Sequence, residues 1–346
     1  MFAKMRSPVT LAGAELDNYL SRGWFRMRQN IFTTSFLQFN NCFYSVIWLR
    51  VALQQEQGDK KKTRLHKINA AFRTEIKQAD VTPAHEELYQ AYRKTISFEV
   101  SPSLQELLLG TESYNRYDTY EINVYDAEVL IAAGFFDLGK SSAAGISSMY
   151  HPDYRKHSLG KYLIHLKLEF CRQQHLNYFY PGYLVPGYKA FDYKTEIERD
   201  RLEYLHLPSR QWLPYRQFST DLHPLDTMIA MLQHAKNFFQ NQNILCSLLY
   251  YKFFDANLDP GFYGNELLDF PVFLYCYPLT GSFDYHLIVF DVRDGNYHLL
   301  QCSAVINLDY HAGVDDIFSS GLLRVDKDLA AVAKIEELKP VLVHYL

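Results

Sequence analysis

Residues 119–184 read TYEINVYDAEVLIAAGFFDLGKSSAAGISSMYHPDYRKHSLGKYLIHLKLEFCRQQHLNYFYPGYL, and the order of elements in this stretch decides the fold. Its first part spells two strands joined by a hairpin at Asp126-Ala127-Glu128, with Ile122, Val124, Leu130, Ala132 and Phe135 as apolar strand residues. A third strand follows from Ala143 to Met149, before the turn Tyr150-His151-Pro152-Asp153-Tyr154. From Ser158 to His175 the period changes: Leu159, Leu163, Leu166 and Phe170 recur at helical spacing and form one apolar stripe. The aromatic strand Tyr178-Phe179-Tyr180 ends the unit, stopped by Pro181-Gly182.

Upstream, Ser35 to Leu53 is rich in Phe, Tyr, Ile, Val and Trp and reads as a strand; the polar run QQEQGDKKK then leads into a basic turn and a helix. Thr82-Pro83 starts the next helix, with Leu88, Tyr92 and Ile96 at spacings of four. Downstream, HPLDTMIAMLQHAKNFF places Leu225, Ile229, Leu232 and Phe238 on an amphipathic helix, and NILCSLLYYKFF is an apolar run. PVFLYCYPL, YHLIVFDV and HLLQCSAVI follow as strands with turns at Gly281-Ser282 and Asp294-Gly295, the second a strong hairpin signal.

The chain has 346 residues, 48% apolar and 21% charged, which excludes disorder, a collagen-like repeat or a coiled-coil rod for the whole and suggests two or three domains. No run approaches the roughly 18 apolar residues of a membrane span, and the first residues lack the pattern of a cleaved leader, so a soluble, cytoplasmic protein is expected. The cysteines Cys42, Cys171, Cys246, Cys276 and Cys302 are dispersed, without CxxC or a Cys/His cluster; buried thiols are expected, and no disulfide framework, metal or other cofactor. His223, His286, His298 and His311 show no ligand spacing.

Charge divides the chain. Residues 1–220 carry a net +5 and residues 221–346 a net −9, as two bodies with different partners would. Within the first, Asp59 to Lys77 carries Lys60, Lys61, Lys62, Arg64, Lys67, Arg73 and Lys77 against Asp59 and Glu75 alone. The stretch suits either a polyanion or a solvated helix face.

Three strands, a turn rich in hydrogen-bonding residues, a helix and another strand make up the core of a GNAT-type acyltransferase, so an α/β (α+β) GNAT-like domain is expected. The unpaired amides at the helix start Arg155-Lys156-His157-Ser158-Leu159-Gly160 favour an anion or a polarised carbonyl. A coenzyme-A-binding GNAT protein normally has Gln/Arg-x-x-Gly-x-Gly/Ala at this place. Arg155 begins correctly, but Ser158 replaces the first glycine, which disfavours acetyl-CoA and points to another activated acyl donor. Ser158 also serves as an ordinary helix cap in this reading.

The run SSMYHPDYRKHSLGKYLIHLKLEFCRQQHLNYFYPGY, followed by Tyr193-Lys194, resembles the arginyl- and leucyl-tRNA–protein transferases. Upstream features agree in order: Gly23-Trp24-Phe25-Arg26, the strand end Leu49-Arg50, the basic KKTRLHKINAAFR, HEELYQAYRK and Asp137. The resemblance covers roughly residues 22–215. Three features differ from the family pattern: Cys42 stands with Ser45 where a second cysteine is expected, Ala190-Phe191 replaces a Lys-Met pair, and 221–346 has no counterpart in short members.

The resemblance implies transfer of arginine or leucine from aminoacyl-tRNA to the N-terminal amine of proteins that begin with an acidic residue, feeding a degradation pathway that recognises N-termini. Neither membrane nor DNA is an expected partner. It implies that Lys61, Lys62, Arg64, Lys67 and Asn69 contact the acceptor stem, and that backbone at Ser158, Leu159 and Gly160 holds the acceptor end or the carbonyl. By the same resemblance Tyr193 donates a hydrogen bond or relays a proton, Lys194 meets the tRNA terminus, and Asp137 holds a cationic amine. Transfer to another amine, or a catalytically silent tRNA-binding module, remains open. The expected organisation is a basic N-terminal portion over 1–80, a GNAT-like domain over 81–220 and an acidic α+β accessory region over 221–346.

Overall fold

The computed structural model describes residues 1–53, 60–96, 100–219, 223–262, 264–277, 285–308 and 316–345, and of 60–63 the backbone alone. The chain opens with β1 (Lys4–Arg6), α1 (Gly13–Leu20), β2 (Phe25–Met27) and β3 (Asn30–Thr33), whose strands form a small sheet in the order β1-β3-β2. The segment read as one strand over 35–53 is instead a hairpin, β4 (Phe36–Phe39) and β5 (Cys42–Ser45), followed by β6 (Ile47–Ala52). At the hairpin tip Asn40 and Asn41 have φ of 49° and 60°, the left-handed backbone of a two-residue turn, which asparagine tolerates. This turn also leaves Cys42 exposed, unlike the four buried thiols.

Helix α2 (Lys60–Asn69) is shorter than the basic run that suggested it: Arg73 and Lys77 belong to strand β7 (Arg73–Gln78). Helix α3 (Pro83–Arg93) starts at the expected Thr82-Pro83, and α4 (Leu104–Leu109) packs beside it. Then come β8 (Thr119–Asp126), β9 (Val129–Leu138), β10 (Ser142–Tyr150), α5 (Leu159–Gln173), β11 (Tyr178–Leu184), β12 (Leu202–His206) and β13 (Gln211–Pro214). They form one eight-stranded sheet with β6 and β7, in the order β13-β12-β6-β11-β10-β9-β8-β7. Every neighbouring pair is antiparallel except β10 and β11, which run parallel and are joined through α5. A parallel pair needs such a crossover. An antiparallel sheet with one central parallel pair bridged by a helix is the GNAT-like arrangement expected from residues 119–184.

Alternation along β9 gives each face its core. Ala132 and Phe136 pack with Leu159, Leu163, Leu166 and Cys171 of α5, whereas Ala133 and Phe135 pack with Leu88 and Tyr89 of α3 and Leu104 and Leu108 of α4. The sheet's centre is thereby covered on both faces.

The remainder is a second body: α6 (Pro224–Gln240), β14 (Cys246–Tyr251), β15 (Val272–Cys276), β16 (Tyr285–Asp291), β17 (Asn296–Asn307), β18 (Ile317–Phe318), β19 (Gly321–Val332) and α7 (Lys339–Val343). Its six strands are ordered β18-β14-β15-β16-β17-β19, with Met228, Leu232, Ala235 and Phe239 of α6 in the shared core. The expected hairpin at Asp294-Gly295 joins β16 to β17, with Gly295 at φ 75°. Gly281-Ser282 and His311 lie outside the described residues. Phe2 and Phe36, from the start of the chain, belong to this second core, and Leu225 N donates to Ser45 Oγ at 3.0 Å. Among the described residues no helix is long and apolar enough to cross a membrane.

Candidate active site

The central parallel pair comes apart. Strand β10 stays paired with β9 as far as Tyr150, but its register with β11 comprises only Ser142–Tyr178, Ala143–Phe179 and Ala144–Tyr180. Residue chemistry explains where the strands diverge. Strand β10 shifts register against β9 between Gly145 and Ser147, and β11 shifts against β6 between Phe179 and Gly182. Pro181 has no N–H for a ladder, and Gly182 has φ 92°, a backbone conformation that favours glycine. The expectation that β11 stops at Pro181 is therefore corrected: the strand runs on to Leu184, turned away from β10.

The opening is a cleft of about 90 Å³ whose walls include Gly145, Ser147, Phe179 and Pro181 of the two strands. Ile164 and Lys167 of α5 and Tyr193 and Ile197 of the following segment complete it. Ile164, Tyr193 and Ile197 also line a second cavity of about 370 Å³, so the two adjoin. Basic residues from three elements edge that second cavity: Arg64 of α2, Lys156 before α5 and Lys161 within it. Lys161 pairs with Glu196 at 2.8 Å, both exposed. Ser158 lies in the same wall.

At the head of α5, Ser158 has φ 53° and ψ 39°, the left-handed region. That backbone costs a serine roughly 1 kcal/mol more than a glycine, so the position keeps the geometry of the missing glycine although the residue differs. The Ser158 side chain makes no cap hydrogen bond, which corrects the plain capping role. The first-turn amides that follow, at Leu159, Gly160 and Lys161, have no carbonyl within the helix to bond. Leu159's side chain is fully buried in the core, and Gly160 has none, a Cβ there falling 3.6 Å from the Tyr150 ring, so any contribution from these two is through backbone.

Other expected site residues are elsewhere. Asp137 is 0% exposed; its Oδ1 accepts from Arg26 Nη1 and Thr119 Oγ1, each at 2.7 Å, and Arg26 also lies 4.3 Å from the Tyr117 ring. Burial raises its carboxyl above the usual range while Arg26 opposes the rise. A carboxylate sealed in this pair is not placed to hold a substrate amine, so Asp137 belongs to the scaffold.

Asn69 is fully buried and donates to Leu65 O at 2.9 Å and His157 O at 3.2 Å; it ties the end of α2 to the turn before Ser158 rather than facing a stem. Lys194 is 8% exposed, donates to Tyr183 O at 2.8 Å, and lies about 5 Å from the rings of Tyr183 and Phe191. Burial pulls its pKa down to about 7, and it lines neither cavity, so contact with a tRNA terminus is not supported. Lys67 is exposed on α2 outside the cavity walls, and the side chains of Lys61 and Lys62 lie outside the description. Of the expected set the structure thus brings together Arg64, Ser158 and Tyr193. Tyr193 is 43% exposed, yet dense surroundings and the nearby Tyr92 push its hydroxyl up to about 12.

Sequence reasoning missed Lys167. Its Nζ is fully enclosed and donates to Phe135 O at 2.9 Å, Ser147 O at 2.7 Å and Ser148 Oγ at 3.1 Å. Phe135 and Ser147 are the partners at the β10 register shift, so the lysine satisfies carbonyls at the irregularity. Burial pulls its pKa down to about 7; three oxygens around one nitrogen work the other way, because only the ammonium has three N–H groups to give. The signal was in the sequence: Lys167 follows Leu163 by four residues and precedes Cys171 by four, on the apolar stripe of α5.

One trio of metal-ligating type occurs among the described residues, Asp291, Asp294 and His298 in the β16–β17 hairpin. Arg293 is bound to Asp291, and His298 lies between Asp294 at 3.0 Å and Asp328 at 2.7 Å, so ion pairs already account for these groups.

Residues 84–203 match the family described as arginine-tRNA-protein transferase, C terminus. An aspartate/glutamate leucyltransferase of Leptospira interrogans is 24% identical over 196 residues, covering 54% of this chain and 73% of that protein. One of Paracoccus denitrificans is 26% identical over 231 residues, covering 61% and 79%. A solved aminoglycoside acetyltransferase from an uncultured soil metagenomic sample shows a weak likeness, with TM-score 0.27 and 15% identity over 38% of this chain and 88% of that one. The fold reading rests on the strand order itself. The split sheet and the SLG helix start lie within the residues that match this C-terminal family model, and the leucyltransferase relatives named above are aminoacyltransferases.

Proposed function

We propose that this protein transfers arginine or leucine from aminoacyl-tRNA to the α-amino group of proteins whose first residue is acidic. The observation that carries the reading is the cleft between β10 and β11, which adjoins a cavity edged by Arg64, Lys156 and Lys161 beside the left-handed head of α5. A cationic rim suits the phosphates of an acceptor stem, and a narrow cleft suits the aminoacyl group it carries. Lys61, Lys62 and Lys67 of α2 are assigned to the same acceptor stem in this proposal.

In the reaction the acceptor's neutral amine attacks the ester carbonyl. A C–N bond forms, the ribose C–O bond breaks, and the proton lost by the amine ends on the ribose oxygen. An aminoacyl ester is already activated, so positioning and charge stabilisation supply most of the rate. The backbone amides after Ser158 are assigned to the developing oxyanion, and the Tyr193 hydroxyl to relaying the proton between amine and ribose. Asp137, Asn69 and Lys194 act by positioning.

Charged tRNA places the work in the cytoplasm, and the product suits a pathway that degrades proteins by their N-termini. The division into a basic portion over 1–80, a transferase domain over 81–220 and an acidic accessory region over 221–346 is proposed as one of function, since β6 and β7 complete the transferase sheet. The test mixes purified protein with labelled arginyl- or leucyl-tRNA and peptides beginning Asp, Glu or Ala. Label on the Asp and Glu peptides is expected. Label on another amine, or tRNA bound but not consumed, overturns the reading.

A further inference from the structure

The geometry points to Lys167 as the residue that sets donor choice: the cleft admits an uncharged, apolar aminoacyl group and excludes a cationic one. The inference rests on the transferase reading and decides, within it, between the two donors. Three observations support it.

Lys167 Nζ is held at the cleft by Phe135 O, Ser147 O and Ser148 Oγ at 2.9, 2.7 and 3.1 Å, so moving the ammonium aside would break three hydrogen bonds. Room for it is built in: a Cβ at Gly134 would come within 2.9 Å of Lys167 Cε and 3.2 Å of Nζ. Next, among the described residues that line the cleft, Lys167 is the only charged one. Ile146, Ile164, Phe179, Pro181 and Ile197 are apolar, and the described residues lining this cleft include no carboxylate to receive a guanidinium. Asp137, the carboxylate that acts on Lys167 from the far side of β9, is already engaged by Arg26.

The third observation concerns hydrogen bonding. Three acceptors use all three N–H groups of the ammonium, so Lys167 has none left to bind a carboxylate side chain. An arginyl group would meet like charge at the cleft, whereas a leucyl group would meet the apolar walls. A repulsive element of this kind gives more discrimination than an attractive contact alone.

The experiment has two arms. In the first, initial rates with leucyl-, arginyl- and glutamyl-tRNA are measured against a peptide beginning with Asp. Wild-type protein is expected to favour leucyl over arginyl donor by about 100-fold or more in kcat/KM. Lys167→Gln, neutral but still able to donate, is expected to bring that ratio within about tenfold, while Lys167→Arg preserves it. The second arm keeps the chain unaltered and measures competition by 3′-aminoacylamido-adenosines, which cannot be consumed. The leucyl compound is expected to compete at concentrations about tenfold lower than the arginyl one.

Equal use of leucyl and arginyl donors, a preference for glutamyl donor, an unchanged ratio in folded Lys167→Gln, or analogues that compete equally or not at all would each overturn the inference. Peptide labelled equally by both donors would leave the transferase reading standing. Analogues that discriminate while no peptide is labelled would sink the transferase reading and keep the assignment of Lys167.

Discussion

Tyr193 stands where the two cavities meet, and a single atom separates it from phenylalanine. Tyr193→Phe removes the hydroxyl while keeping the ring that lines both walls. A relay role predicts that kcat falls by about tenfold or more while donor affinity stays within about twofold. Matched losses in both would assign the ring to packing. Lys194 gives a different kind of prediction. Its folded pKa is lowered to about 7 against about 10.4 unfolded, so between those values the unfolded chain binds more protons. Wild-type stability relative to Lys194→Met should therefore rise with pH from about 7 to 10, by at most about 1.4 kcal/mol per unit, and be lowest below 7. Parallel urea titrations across that range check the sign. Single residues were also where reading from sequence was least complete. An Asp at a strand end looks the same whether it faces a substrate or, as Asp137 does, an arginine 111 positions earlier. Lys167 was hidden for the opposite reason, since a lysine in a helix is ordinarily solvated and only its place on the apolar stripe marks it as buried.

At the level of elements the prediction belongs to α2. Reversing Lys61, Lys62, Arg64 and Lys67 to Glu should weaken tRNA binding steeply and lower the slope of log affinity against log salt by about 3, as fewer counterions are released. Unchanged binding would remove α2 from the interface. Most of the element order was legible because hydrophobic period changes visibly at Ser158 and again at Tyr178. What was not legible was local turn chemistry read as continuous strand: Asn40-Asn41 folds a hairpin into the aromatic run, and Asn69 ends a helix that composition alone would carry on to Arg73. Ser158 was placed correctly at the helix start, but its left-handed backbone needs coordinates to be seen.

Across the whole molecule, the first residues tie the two sheets together. Phe36 is fully buried and belongs to the core of the C-terminal body, with its ring 5.1 Å from that of Phe2 and 6.4 Å from that of Phe254. Phe36→Ala is expected to cost about 3–5 kcal/mol and to lower the thermal midpoint of the C-terminal body more than that of the transferase sheet, read by calorimetry. A loss confined to the transferase sheet would contradict the shared core. The charge contrast between the +5 and −9 parts was visible in sequence, whereas this long-range stitching was not, because no local pattern reports a contact across more than two hundred residues.

The parting of β10 from β11 has an origin in the main chain: Pro181 withholds a donor and Gly182 bends the path. An aperture made by backbone survives exchange of the residues around it. Substrate preference in such a protein is thus free to drift by trading wall residues one at a time, with no new architecture required for each new tenant.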